Sequence, residues 1–526
     1  MRRSAFFDLP SDLSIRQQNV RSPTLATVFD YIFFIRSFSS LRLSMRLAPR
    51  FLVVVLSLTA AFSPLTAAEL SADVVVIGAG AAGLSAALEA KLLGADVLVL
   101  EKMPAVGGNT ILAAGGINVP ASPFVTSQYR AKGGTESGLD SVEIAYADTL
   151  KAGKWKNDPV LAMKLNEDAR QTLEWLMALG ADLRRVALTS DATKGRLHRP
   201  ESGRFEGLVG PELIRTLYRE ARRLRIDIHT NTEVVQIVRD KSGRAATLKV
   251  KDTKGTHLVK ARAIVNAAGG YSSSAKFVKE TAPNLSRLSS TNQPGATGDG
   301  IRLARRLGAA TRDLNVIEIE PTILKKSKFI IPEAVRRNGA ILLNTRGERF
   351  TNELGDDLTV ATAMRRQKDH RAFLFFDETV VKTLNVNQNF AHQDEVLKVN
   401  SLEELAQKTG MPLERLKKTM SAWQEAKTAG EDRFGRRSFP WPLIRAPYYV
   451  LEVVPARHYT PGGLKIDEHT RVLNTKGKPI SGLFAAGEVT GGVHGMKHLT
   501  GNALTDAVVF GRLAGREAFV FAKKEK

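Results

Sequence analysis

The chain has 526 residues, 43% hydrophobic and 25% charged, which excludes a disordered or fibrous protein and leaves room for two or three lobes. It has no cysteine, so disulfides, zinc–thiolate sites, iron–sulfur clusters and attached c-type haem are excluded, and no metal site is expected. The net charge of +22 is dispersed, with eight Arg against three Asp in the first 68 residues and only 23 basic against 20 acidic in residues 313–458. No basic run carries the interleaved aromatics of a single-strand binder, so nucleic acid is not an expected partner. A dispersed basic surface is simply solvated, or steers an anionic substrate or an acidic electron-transfer partner.

From Met45 the chain reads as a secretory signal peptide. Arg46 and Arg50 are its basic end, Phe51 to Phe62 its apolar stretch, and Ser63 to Ala68 the small residues for cleavage. Twelve apolar residues are too few to span a bilayer, and no later stretch is long enough, so no membrane span is expected in the mature chain. Residues 1–44 read as a non-native extension ahead of a start at Met45, and residues 45–68 as the signal. In a bacterium the mature chain is then expected in the periplasm.

A β-branched strand, Ala72 to Ile77, leads into Gly78-Ala79-Gly80-Ala81-Ala82-Gly83, then a helix, then a second strand from Ala95 to Leu100 ending in Glu101. Each part of this pattern has a task in holding a dinucleotide. Gly78 makes the tight turn, Gly80 admits the pyrophosphate, Gly83 packs helix on strand, and Glu101 accepts from the ribose hydroxyls. The helix N-terminus offers its unpaired N–H groups to the phosphates.

The glycine-rich segment after Glu101, from Lys102 to Asn118, resembles the flavin-contacting loop of the succinate dehydrogenase and fumarate reductase flavoproteins. Three later segments extend the resemblance: Ala261 to Gly270, Gly295 to Gly300, and Gly482 to Gly495 with Gly501 to Leu504. It is nearest to the soluble periplasmic fumarate reductases of the flavocytochrome c type, in their FAD and capping domains only. The resemblance implies an α/β fold: a Rossmann-like, three-layer FAD-binding domain in two parts (69–312 and 459–526) with an inserted α+β capping domain (313–458). Asn109 stands where quinone-linked members carry the His bonded to flavin, so the FAD is expected to be non-covalent. Implied cofactor contacts, beside Gly78, Gly80, Ala82, Gly83 and Glu101, are Lys102, Asn109, Thr110, Ala114, Gly115, Gly116, Val235, Asp299, Glu488, Asn502, Ala503 and Leu504.

The family's substrate residues are only partly matched. Glu333 and Arg336 carry over as proton-relay residues, but Asp357 falls where the proton-donating Arg belongs. Glu320 takes a cap His position, Pro332 a Thr position, Tyr459 a carboxylate-binding His, and His498 the carboxylate-clamping Arg. An Arg fork grips a carboxylate with two donors and His offers one, so fumarate is not the expected substrate. Glu320 and Asp357 could receive a cationic or hydroxyl-bearing substrate, and Tyr459 could donate to a carbonyl or phenol. Tyr459 ranks ahead of Asp357 as the acid, because a phenol is protonated at neutral pH without help. Were the register shifted, Arg365 or Arg366 would supply the acid instead.

The expected function is an exported FAD reductase of an activated C=C bond, fed by a separate carrier such as a small cytochrome c. The alternatives are desaturation in the manner of 3-oxosteroid dehydrogenases, or a non-catalytic flavin electron-transfer module.

Overall fold

The computed structural model describes residues 70–131, 139–189, 191–201, 207–384 and 394–525. The expected extension and signal peptide lie outside the described residues. An eight-stranded sheet organises the first part of the fold. Its main path runs Arg471–Leu473, Pro479–Ala485, Gly255–Asn266, Leu70–Ile77, Val97–Leu100, Asp227–His229. The four inner pairings of Pro479–Ala485 through Asp227–His229 are all parallel, with Val76 facing Val99 and Val265. Parallel strands covered on both faces need continuous apolar runs, and Val74, Val75 and Val76 are fully buried. Ala245–Asp252 turns back on Gly255–Asn266 as a hairpin, which extends that strand well beyond the buried run that marked it in sequence.

Two helices meet over this sheet. Ala81–Leu92 and the C-terminal Asn502–Lys524 approach so closely that a Cβ on Gly511 would sit 2.5 Å from the Ala82 carbonyl oxygen. One on Gly515 would sit 2.2 Å from that of Ala86. Small residues on both helices therefore set their spacing.

A second, six-stranded sheet runs Ser289–Ser290, Tyr448–Arg457, Ala372–Asp377, Ile341–Leu343, with Ile319–Leu324 and Val396–Val399 also pairing to Tyr448–Arg457. Both of its faces are buried, and the period of two sorts them. Leu342, Leu374, Phe376, Leu451 and Val453 face one core, shared with Val335 of helix Glu333–Arg337 and Val360 of helix Asp357–Arg365. Ile341, Leu343, Phe375 and Val450 face another, shared with helices Leu402–Thr409 and Leu413–Ala429. Ser289–Ser290 joins this sheet from outside residues 313–458, and residues 67–526 group as one compact unit. Among the described residues no helix is long and apolar enough to cross a membrane.

The second sheet meets the first part of the chain where Ile319–Leu324 and Tyr448–Arg457 enter and leave. There the Glu318 N–H donates to the Tyr459 carbonyl and the His458 N–H to that of Glu318, both at 2.8 Å. Every candidate substrate residue lies on or near this crossing.

Candidate active site

The glycine turn after the first strand forms a cradle that side chains would fill. Gly78 has φ +98°, a left-handed conformation, and a Cβ there would meet the Ala267 carbonyl oxygen at 2.5 Å. A Cβ on Gly83 would sit 1.9 Å from the Gly78 carbonyl oxygen. Above Gly80, by contrast, nothing comes nearer than 3.8 Å, and Gly80 itself carries no side chain to cap the helix that starts at Ala81. Buried Glu101 accepts from the Ala79 and Met103 N–H groups, both at 2.8 Å, which fixes its carboxylate beside the turn. Burial pushes its carboxyl up against the lowering pull of those bonds. An open helix N-terminus, room above the second glycine and a fixed carboxylate fit a dinucleotide pyrophosphate and ribose.

The remaining candidate contacts fall into three groups. Lys102 bonds both Thr297 (2.6 Å) and Asp299, and Asp299 is held further by Arg302 at 2.6 Å. Lys102, Thr297 and Asp299 border a cleft of about 530 Å³ with Met103 and Gly295. Asn109 donates to Glu488 (3.0 Å) and accepts from the Gln293 N–H (3.0 Å), while Thr460 also donates to Glu488 at 2.9 Å. Asn502 lies buried, accepting from Asn118 at 2.8 Å and donating to Thr149 at 2.9 Å. Thr110 accepts from the Ala81 N–H at 3.2 Å, so the loop closes onto the start of the cradle helix. Ala114 and Gly115 are exposed, Gly116 is buried, and the Val235 carbonyl accepts from Arg306 at 3.1 Å. Ala82 sits under the C-terminal helix, while Ala503 and Leu504 stand in its half-buried first turn.

At the crossing, charged groups cluster. Fully buried Arg336 donates to the Glu353 carbonyl (2.8 Å) and to Asp357 Oδ1 (2.9 Å). Asp357 Oδ2 in turn accepts from Lys497 Nζ at 2.7 Å. His498 donates its backbone N–H and Nδ1–H to Glu318 Oε1, both at 2.8 Å. Burial alone would neutralise this pair. The attraction between the partners outweighs it, holding Glu318 below the usual carboxylate range and His498 above the usual imidazole. The pairing favours the protonated ring of His498, in which Nε2–H is the remaining donor.

Half-buried Glu320 behaves oppositely: burial first, then the charge of Asp357, push it up to about 8 despite Arg336. At neutral pH it is a neutral carboxylic acid and a hydrogen-bond donor. His458 is driven down to about 4 by burial and by His498, and its Nδ1 lies 2.7 Å from the Thr291 hydroxyl. The cluster thus sets Arg336, Lys497 and His498 beside Asp357 and Glu318, with Asp191 also acting on Lys497 and His498.

Several expectations are corrected by this arrangement. Asp357 is no acid and no receptor for a cation: burial would raise it, but Lys497 and Arg336 hold it below the usual range, ionised and engaged. Glu320, being protonated, offers no negative charge to a cationic substrate either. Tyr459 is a poorer acid than a free phenol. Burial, then the charges of Asp506, Glu488 and Glu318, raise it well above its ordinary value. Asp506 also meets His494 Nε2 at 3.1 Å, and the Tyr459 ring lies 4.8 Å from that of His498. Glu333 pairs with Arg337 at 2.7 Å. Arg365 donates to the Asn284 carbonyl at 2.9 Å and Arg366 is exposed, so the cations at Asp357 are Arg336 and Lys497. Lys497, Glu318 and Asp506 were not singled out in sequence. The signal for Lys497 was present: a carboxylate at position 357 calls for a cation, and Lys497 adjoins His498.

Residues 73–504 match a family described as "FAD binding domain". The chain is 39% identical over 454 residues to "Fumarate reductase (cytochrome)" of Shewanella frigidimarina, covering 86% of this chain and 78% of the relative. It is 33% identical over 465 residues to "Urocanate reductase" of Eggerthella lenta, covering 86% and 75%. Among solved structures, the open conformation of a flavocytochrome c3 fumarate reductase superposes with a TM-score of 0.79 at 36% identity, covering 86% of this chain and 79% of that one.

Proposed function

The chain belongs to this FAD-binding family of fumarate reductase-like oxidoreductases, and from that premise we propose that it saturates an activated C=C bond of a small organic acid bearing one carboxylate. Bound FAD supplies the hydride chemistry. The protein's own groups select and orient the substrate. The observation that carries the reading is the pairing at the crossing: Asp357 is taken by Arg336 and Lys497, Glu318 by His498, and Glu320 is neutral. One remaining cationic donor, the Nε2–H of His498, suits one carboxylate. A second carboxylate would meet Glu320, a single neutral donor, where charge-assisted pairing is needed. Urocanate, the substrate in one relative's name, is a monocarboxylate of this kind.

The desaturation alternative rested on Tyr459 as an acid–base group, and burial with the charges of Asp506, Glu488 and Glu318 holds its phenol well above the ordinary value. We further propose that residues 313–458 cap the flavin. Electrons come from a separate carrier such as a small cytochrome c, and the mature chain works in the periplasm after losing residues 45–68.

The test is oxidation of reduced viologen by a panel of alkenes. Unsaturated monocarboxylates are expected to support turnover with kcat/KM at least about tenfold above fumarate, the factor worth roughly 1.4 kcal/mol. Fumarate as the best oxidant would sink the single-carboxylate reading. A dye reduced by saturated ketones, with no alkene-dependent oxidation, would favour desaturation.

Because Asn109 is an amide hydrogen-bonded to Glu488 and Gln293, acid precipitation is expected to leave a yellow supernatant. Flavin retained in the pellet would contradict non-covalent binding. Glu101→Ala removes the fixed ribose acceptor and should weaken FAD binding by roughly 1–3 kcal/mol, read by equilibrium dialysis.

A further inference from the structure

Saturating a C=C bond consumes one hydride and one proton, and the proton must leave an N–H or O–H of the protein. We propose that Lys497 is the catalytic residue that delivers this proton, with Asp357, anchored by Arg336, as the positioning residue that aims it. The assignment rests on the reading of the chain as a C=C reductase.

The geometry narrows the choice. Of the cluster's proton carriers, Arg336 is fully buried with its guanidinium bonded to Glu353 and Asp357. Tyr459 packs its ring 4.8 Å from that of His498 and is made a poorer acid by burial and nearby carboxylates, and His498 is held by Glu318 as the positive clamp. Asp357 holds no proton to give. Glu320 would become an anion in a half-buried place already facing the charge of Asp357. Lys497 has three N–H bonds and Asp357 occupies one side of them. Its backbone is fixed on either side, since the Met496 N–H donates to the Gly153 carbonyl (3.0 Å) and the His498 N–H to Glu318. Its side chain is 40% exposed, so solvent can return the proton between turnovers, while the Asp357–Arg336 end is buried and fixed.

The step balances without a further reactant. One Nζ–H bond of Lys497 breaks and its electron pair stays on nitrogen. The proton forms a C–H bond at the carbon next to the substrate carboxylate, as the hydride completes the other carbon. The amine left beside Asp357 then takes a proton from water. A carbanion next to a carboxylate is far more basic than an amine, so an ammonium is a competent donor, and it is fully protonated at neutral pH. Lys497 adjoins His498 in the chain, so the proposed donor and the proposed carboxylate clamp share one loop.

Two measurements test this. With a substrate found by the viologen assay, Lys497→Met should lower kcat by about 10²-fold or more with KM changed less than about threefold, and Lys497→Arg should restore much of it. Both variants should retain FAD absorbance and melting temperature. Independently of turnover, competitive acetylation read by mass spectrometry should show Lys497 less reactive near neutral pH than the other half-exposed lysines. Asp357→Asn should bring its reactivity up to theirs. Lys497→Met with wild-type kcat, or Lys497 reactivity indifferent to Asp357→Asn, overturns the assignment while leaving the reductase reading in place. A wild-type protein that no alkene reoxidises overturns the reductase reading and this one with it.

Discussion

Glu353→Ala should destabilise the protein by roughly 3–5 kcal/mol, the usual cost of breaking a buried ion pair from one side. Glu353 is fully buried, gripped by Arg349 at 2.8 and 2.7 Å and by Arg436 at 2.8 Å, and it accepts the Leu342 N–H at 3.1 Å. Both guanidiniums lie over the Trp423 ring, at 4.9 and 4.7 Å, so neither can swing out to water without unpacking that core. Burial by itself would favour a neutral carboxyl, but Arg349 and Arg436 hold it ionised. Removing it strands two buried cations with only Asp432 nearby, 2.7 Å from Arg349. The loss should show as a lower urea midpoint with an unchanged slope. It should also reach the active site, because the Glu353 carbonyl and the Arg336 carbonyl tie this network to the residue that anchors Asp357. A change below about 1 kcal/mol would mean the arginines find new partners at little cost.

The second large effect is an alkaline loss of activity governed by Glu320. Its carboxyl is raised to about 8, chiefly by burial and by Asp357, with Glu333 adding a little and Arg336 opposing. At pH 7 it is roughly nine-tenths protonated. As pH rises through 8 it becomes an anion and repels the substrate carboxylate. kcat/KM is therefore expected to fall about tenfold per pH unit above 8, mainly through KM. Stability should follow in the same sense. Between the ordinary value near 4.5 and about 8 the folded state binds more protons than the unfolded chain. Stability thus decreases with rising pH, by at most about 1.4 kcal/mol per unit. Glu320→Gln cannot ionise, so its profile should lack this limb. An alkaline limb that survives in Glu320→Gln would assign the titration to another group.

What the sequence revealed and what it hid divide by distance along the chain. The cradle from Leu70 to Glu101 is legible because its turn, helix and acid lie within one βαβ stretch, each carrying its own chemical signature. The helices beginning at Leu402 and Leu413 are equally local, marked by Ser401 and Pro412 at their starts. The active cluster is not local. Lys497 finds Asp357 across 140 residues, and His498 finds Glu318 across 180. Read one position at a time, Asp357 looked like a lost Arg and Tyr459 like an available acid. Only the pairings reveal that the positive charge has moved to Lys497, and only the fold buries the phenol among Asp506, Glu488 and Glu318.

The late arrival of one strand and one helix has a consequence for how the molecule is made. Pro479–Ala485 pairs with Gly255–Asn266, and Asn502–Lys524 lies on the alanine face of the cradle helix, so the first and last stretches of the described chain are neighbours. Closing so long a loop is slow, because its entropy is lost before any contact repays it. During synthesis the cradle helix emerges early with Ala82 and Ala86 bare. Glu488, Lys497, His498 and Asn502 follow only about four hundred residues later. A chain cut before Asn502 leaves the alanine face of the cradle helix uncovered, so clipped chains are expected to carry no flavin colour.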